Sequence, residues 1–183
     1  MTGFRRVSEA LVHQGYIWRV AAAEFEAPDG ERFRRDIVRS PGAVGVVPLS
    51  VDAHGLPAVI LVRQYRPAYD EAVVEIPAGM RDVPGEPPDE TARRELIEEI
   101  GQTPGALVHL VDLYPSPALT DSVTTVYLAT DLRPAQRHAH GPEERHMEVL
   151  HVSLAEAVDW VLSGRIRDAK TVAGLLLTDR MMR

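Results

Sequence analysis

The pattern of apolar and polar positions over 16–26 and 32–39 predicts two strands, and the turn Ala27-Pro28-Asp29-Gly30 between them predicts a hairpin. Stretches 42–50 and 56–64 are rich in strand-forming residues and are joined across Asp52-Ala53-His54-Gly55, and 72–76 adds a short strand. Further along, 106–114, 123–130 and 148–153 read as strands. Helical periodicity follows at 154–162, where Leu154, Ala157, Trp160 and Val161 share one face, and again at 168–182. No repeat or low-complexity tract interrupts the series. Mixed strands with a central helix and late helices point to an α/β (α+β) sandwich.

The central helix carries the candidate chemistry. Gly79 to Gly101 reads GMRDVPGEPPDETARRELIEEIG. The prolines and Gly85 keep the loop 82–88 out of a helix, because each Pro restricts the residue before it and Gly opens unusual dihedrals. The helix starts at Pro88 or Asp89, with Asp89 as capping residue and Glu90 suited to the positive helix end. It stops at Gly101, with Pro104 just beyond. Ala92, Leu96 and Ile100 recur at i, i+4 and face the core, which turns Glu95 and Glu99 the other way. Glu98 lies beside them, and Glu86 precedes Arg94 by eight positions, in reach of an ion pair that fixes loop to helix. Two readings stay open from geometry alone. One is a solvated acidic helix face. The other is a set of oxygen ligands for a hard divalent cation, which relieves the mutual repulsion of the carboxylates.

Gly79, Glu86, Arg94, Glu95, Leu96, Glu98, Glu99 and Gly101, taken in order, resemble the Nudix box. The spacing matches from Glu86 to Gly101. It departs in two places: six residues rather than five separate Gly79 from Glu86, and Gln102 replaces a closing aliphatic residue. Outside the box, Arg63-Gln64-Tyr65-Arg66, Glu75-Ile76-Pro77-Ala78-Gly79, Pro142-Glu143-Glu144, and Pro117, fifteen residues past the end of the box, resemble the ADP-ribose pyrophosphatase subgroup. The likeness runs from about Trp18 to Gly174. Val74, Ala118 and the stretch Thr120-Asp121-Ser122 depart from the subgroup pattern near the expected substrate loops.

The resemblance implies an α-β-α sandwich around a mixed sheet over 42–183, preceded by an antiparallel β-region over 1–41 that serves dimerisation. It implies hydrolysis of the pyrophosphate bond of ADP-ribose to AMP and ribose 5-phosphate, with Mg²⁺ as the cation and Mn²⁺ as its substitute. Glu95 and Glu99 are then the main metal ligands, with Glu98 assisting and the Ala78 carbonyl joining. Arg66 holds the pyrophosphate, and Pro117 marks the substrate loop. Glu144 in the loop 136–146 is the candidate base, with Glu143 as alternate and Glu98 as the third carboxylate near the chemistry. Gly79, Glu86, Arg94 and Gly101 are structural. Trp18 is a candidate for stacking on adenine, although core packing or a dimer contact is the stronger reading of an apolar indole. His138, His140 and His146 fit no regular zinc spacing and read as polar loop residues. The alternative substrate is another nucleoside diphosphate derivative, a sugar nucleotide or a dinucleotide. A non-catalytic ADP-ribose-binding regulator is the remote one, since such a module is expected to lose box carboxylates that this chain keeps.

Composition bounds the rest. A chain of 183 residues supports one sizeable core. A formal charge of −7 argues against a nucleic-acid or anionic-membrane surface. With no cysteine, disulfide and thiolate chemistry are excluded. The N-terminus carries no signal-like apolar stretch, and no run is long enough to span a bilayer. A soluble cytoplasmic protein is the expectation.

Overall fold

The computed structural model describes residues 3–138 and 141–183. His140 therefore lies outside the described residues. The chain divides into two compact units, Met1–Gly42 with Tyr114–Val123, and Ala43–Leu113 with Thr124–Arg183.

The first unit is a three-stranded antiparallel sheet of β1 (Arg5–Gln14), β2 (Arg19–Glu26) and β3 (Arg32–Arg39), in that order. The predicted hairpin joins β2 to β3. Gly30 takes φ 88°, and its N–H donates to the Ala27 carbonyl at 2.9 Å. Phe25 and Phe33 pair across it with ring centroids 5.5 Å apart. Two differences from the sequence reading have clear causes. β2 begins at Arg19 rather than at 16, because the Gly15 N–H donates to the Trp18 carbonyl and closes a turn there. β1 was not predicted at all: it is exposed along almost its whole length, so no buried face imposes an apolar alternation on its sequence. The segment from Tyr114 to Val123 belongs to this unit through Thr120, whose hydroxyl donates to the Val38 carbonyl at 2.7 Å, and through the Arg39–Asp121 pair at 3.0 Å.

The second unit contains β4 (Ala43–Val51), β5 (Pro57–Arg66), β6 (Glu71–Glu75), β7 (Ala78–Met80), α1 (Pro88–Ile100), β8 (Gln102–Thr103), β9 (Ala106–Leu113), β10 (Thr124–Thr130), β11 (Arg133–Pro134), α2 (Gly141–Arg145), β12 (Glu148–Ser153), α3 (Leu154–Leu162) and α4 (Ala169–Met182). Its seven-stranded sheet runs β12-β5-β4-β10-β9, with β6 added to β5 and β7 added to β4. β4 and β10 are parallel and the other pairs antiparallel, so the sheet is mixed. The central strands are buried on both faces, as continuous apolar runs require. Val44, Val46, Ile60 and Val62 pack against Ala92, Leu96 and Ile100 of α1. Val47, Val59 and Leu61 face the opposite way, against α3 and α4 through Ala157, Val158 and Leu175. This is an α-β-α sandwich. Gly174 lets α4 lie close to the sheet, since a Cβ there would stand 2.8 Å from Val47 Cγ2. Trp160 packs at the edge of that core with the Arg165 guanidinium 3.5 Å over its ring.

Candidate active site

The box helix forms within the expected limits, with one local difference. Pro87 takes the N-cap position and supplies no capping side chain, and Asp89 lies inside the first turn instead of capping it. Pro88 needs no N–H at the first helical position, which suits it to start the helix. The loop is tied down by Glu86, which accepts from Thr91 Oγ1 at 2.8 Å and from Arg94 Nη2 at 3.2 Å. Arg94 first, then Thr91, hold the Glu86 carboxyl below its ordinary range. At the other end Gly101 adopts φ 63° and donates to Ile97, the left-handed stop that Gly allows.

The carboxylates do not look out to water. Glu95 is 6% and Glu99 3% exposed, which overturns the reading of a solvated acidic face. They lie under β7, and the approach depends on Gly79. A Cβ at that position would fall 1.9 Å from the Glu95 carboxyl carbon. Beside it, the Ala78 N–H donates to Glu99 Oε2 at 3.0 Å. Arg94 Nη1 holds Glu95 at 2.8 Å and Glu98 at 3.1 Å. Burial pushes Glu95 up to about 7, with Arg94 opposing it and the charges of Glu98 and Glu144 adding to it. Burial likewise pushes Glu99 up to about 8, against the Ala78 N–H and with the charges of Glu95 and Glu144.

Glu144 is thus within electrostatic reach of both box carboxylates. The segment carrying it is not a plain loop, since Gly141–Arg145 form one short helix. Met147, 6% exposed, anchors the end of that helix in the core beside α1. Glu143 is exposed on the same turn. Arg66 also lies near the box. Its guanidinium forms a two-pronged pair with Glu75, Nε to Oε1 at 2.6 Å and Nη2 to Oε2 at 2.8 Å, and it feels the charge of Glu99. Trp18 and Pro117 belong to the first unit. Trp18 is 55% exposed, which rules out core packing within the chain. Pro117 lines an open hollow of about 420 Å³ with Phe25, Phe33 and Thr120.

The sequence reading gives Glu75 no role beyond the Glu75-Ile76-Pro77-Ala78-Gly79 stretch, and Asp168, Lys170 and Thr171 none beyond the C-terminal helix. Glu75 is 2% exposed and joins Arg66 to Lys170. A charged residue inside the apolar strand 72–76, next to its end, was the available signal. Asp168 caps α4 through the Thr171 N–H at 3.0 Å, a local pattern readable from Asp followed three residues later by Thr.

Among the described residues no three or more His, Asp or Glu side chains are drawn together as a ready metal-binding group. Arg94 holds Glu95 and Glu98 by one nitrogen, and Glu99 accepts from the Ala78 amide. The residues nevertheless fit a divalent cation. Their donors are hard oxygens, the side of Gly79 leaves the space that Glu95 occupies, and two buried carboxyls are held far from their ordinary range.

A sandwich that buries carboxylates of one helix beneath a glycine of the sheet, with an arginine clamping loop to helix, defines a class of site with hard oxygen donors for a divalent cation. Comparison with known proteins makes the class specific. The NUDIX domain model matches residues 39–175, and the chain belongs to the Nudix hydrolase family. An ADP-ribose pyrophosphatase of Mycobacterium tuberculosis is 38% identical over 94% of this chain and 82% of its own length. One of Bacillus subtilis is 35% identical over 91% and 88%. The fold matches the crystal structure of an ADP compounds hydrolase with a TM-score of 0.83 at 24% identity, over 98% of this chain and 94% of that one. Nudix enzymes of this kind generally use a divalent metal. No helix among the described residues is long and apolar enough to cross a membrane.

Proposed function

We propose that the protein hydrolyses the pyrophosphate bond of ADP-ribose to AMP and ribose 5-phosphate, with Mg²⁺ held by Glu95, Glu99, Glu98 and the Ala78 carbonyl. The observation that carries this reading is the pair of buried box carboxylates fitted under Gly79. The ADP-ribose pyrophosphatase relatives at 38% and 35% identity supply the substrate. A divalent cation there supplies charge neutralisation of the pyrophosphate and activation of water.

The protein's own groups do the rest. Arg66, locked by Glu75, presents a planar guanidinium to the anionic diphosphate. Glu144 accepts the proton of the attacking water, and Glu143 stands one residue away as the alternate base. The water oxygen bonds to one phosphorus, the bridging P–O bond breaks, and the bridging oxygen leaves with the other phosphate. The exposed Leu11, Val12 and Trp18 of the first unit suit a contact between two copies, the homodimer we assign to it. A cysteine-free chain suits the reducing cytoplasm.

Purified protein incubated with ADP-ribose and Mg²⁺ is expected to release AMP, measured by chromatography, and to stop when a chelator is added. Sugar nucleotides and dinucleotides run side by side test the substrate. An efficiency on one of them about tenfold above that on ADP-ribose would replace the proposed substrate while keeping the chemistry.

A further inference from the structure

Glu75 is an unusual place for a charge: 2% exposed, at the end of β6, directly before the Ile76-Pro77-Ala78 run that leads to Gly79. A carboxylate so buried requires partners. It has two, and they come from different elements. Arg66 of β5 binds both oxygens, and Lys170 Nζ of α4 meets Oε2 at 2.5 Å. Lys170 is steadied in turn by Asp168 Oδ1 at 3.0 Å. The fork to Glu75 takes Nε and Nη2 of Arg66 and leaves Nη1 out of the pair, so the carboxylate fixes the plane in which that nitrogen is offered.

The next residue of α4 reaches the same strand by another route. Thr171, fully buried, donates its hydroxyl to Asp168 Oδ2 at 2.6 Å and accepts the Ile76 N–H at 2.9 Å. Two residues on, the Ala78 N–H holds Glu99 at 3.0 Å. One helical turn, 95 residues away in sequence, therefore grips both the arginine and the backbone that meets the box. Burial of this kind is costly where an apolar contact would serve packing alone. We propose that the first turn of α4 is a positioning element of the active site, in which Lys170 orients Arg66 through Glu75 and Thr171 sets the Ala78 backbone through Ile76. Neither residue touches substrate or cation. The inference rests on the hydrolase reading above.

The test uses the full chain with Lys170→Met, Lys170→Arg, Thr171→Val and Thr171→Ser. Three quantities are measured: KM and kcat on ADP-ribose, Mn²⁺ affinity without substrate by electron paramagnetic resonance, and the melting temperature. Lys170→Met is expected to raise KM about tenfold while Mn²⁺ affinity stays within about twofold, with Lys170→Arg recovering most of the loss. Thr171→Val is expected to weaken Mn²⁺ about tenfold, and Thr171→Ser to restore it. If both disruptive variants keep KM and Mn²⁺ affinity within about twofold of wild type and only melt earlier, the turn is merely structural and the proposal falls. Lys170→Gln and Thr171→Ala carry the same comparison if either first variant does not fold. Should wild-type protein leave ADP-ribose intact, the substrate reading fails alone. Mn²⁺ affinity then still decides Thr171, and binding of inorganic pyrophosphate decides Lys170.

Discussion

Glu75 and Glu99 are the same residue type, 2% and 3% exposed, in one compact unit, and they titrate in opposite directions. At Glu75 burial raises the pKa, but the Arg66 hydrogen bonds and the Lys170 and Arg66 charges outweigh it and hold the carboxyl below its ordinary value. At Glu99 burial wins: one backbone N–H and the charge of Arg66 oppose it, while Glu95 and Glu144 add negative charge, and the carboxyl rises to about 8. Burial therefore does not distinguish a structural acid from a functional one. The supply of partners does. Glu75 is satisfied as a carboxylate by the protein itself, whereas Glu99 lacks cationic partners of its own and holds a proton that an external cation can displace.

The largest separation between the two is expected from neutral isosteres. Glu99→Gln should lower turnover by more than about a hundredfold, since even residues that only support metal ligands cost 10–100-fold. The same change should raise the melting temperature of the metal-free protein near pH 8, because it deletes a buried charge. Turnover within about tenfold of wild type would contradict the metal assignment. Glu75→Gln should do the reverse to stability, costing about 3 kcal/mol by leaving Arg66 and Lys170 without their carboxylate. Chemical denaturation of both variants measures the difference. Equal signs for the two would erase the distinction.

That contrast also marks how far the sequence could be read. The box carboxylates, Arg94, Glu86 and both helix ends were legible because they lie within one helix and its loop, where a 3.6-residue period ties spacing to geometry. Even there the period misjudged the surroundings. It turned Glu95 and Glu99 away from the apolar stripe, but it could not show that β7 covers that side. The strands buried on both faces came through as apolar runs, while β1, exposed along almost its whole length, left no trace. Glu75 with Lys170 and Ile76 with Thr171 were out of reach, each pair being 95 residues apart and joined only by the packing of α4 on the sheet.

Gly79→Ala tests the Glu99 side at intermediate scale. Its added methyl would sit 1.9 Å from the Glu95 carboxyl carbon, so Glu95 must leave its place while Glu75 and its cations stay untouched. Mn²⁺ affinity is expected to fall about tenfold, with a similar drop in kcat/KM. Substitution to Ala that leaves Mn²⁺ titrations unchanged would show that the close approach is packing without consequence.

The smallest effect expected is in the pH dependence of stability, and it separates the two acids by sign. Glu75 has a folded pKa below 4.5, so its contribution is present above that ordinary value and is lost as pH falls through the folded one. Glu95 and Glu99 have folded values of about 7 and about 8, so their contribution is complete below 4.5 and disappears as pH rises through those values. Metal-free protein should thus lose several degrees of melting temperature between about pH 5 and about pH 9, and Glu99→Gln should flatten that decline. Mg²⁺ must displace protons to bind these carboxyls, so it should raise the melting temperature more at about pH 8.5 than at about pH 5.5. Melting curves at both pH values, with and without Mg²⁺, decide the matter. An Mg²⁺ gain independent of pH, or an alkaline decline unchanged in Glu99→Gln, would mean that the buried box carboxyls are not the groups that exchange protons for the cation.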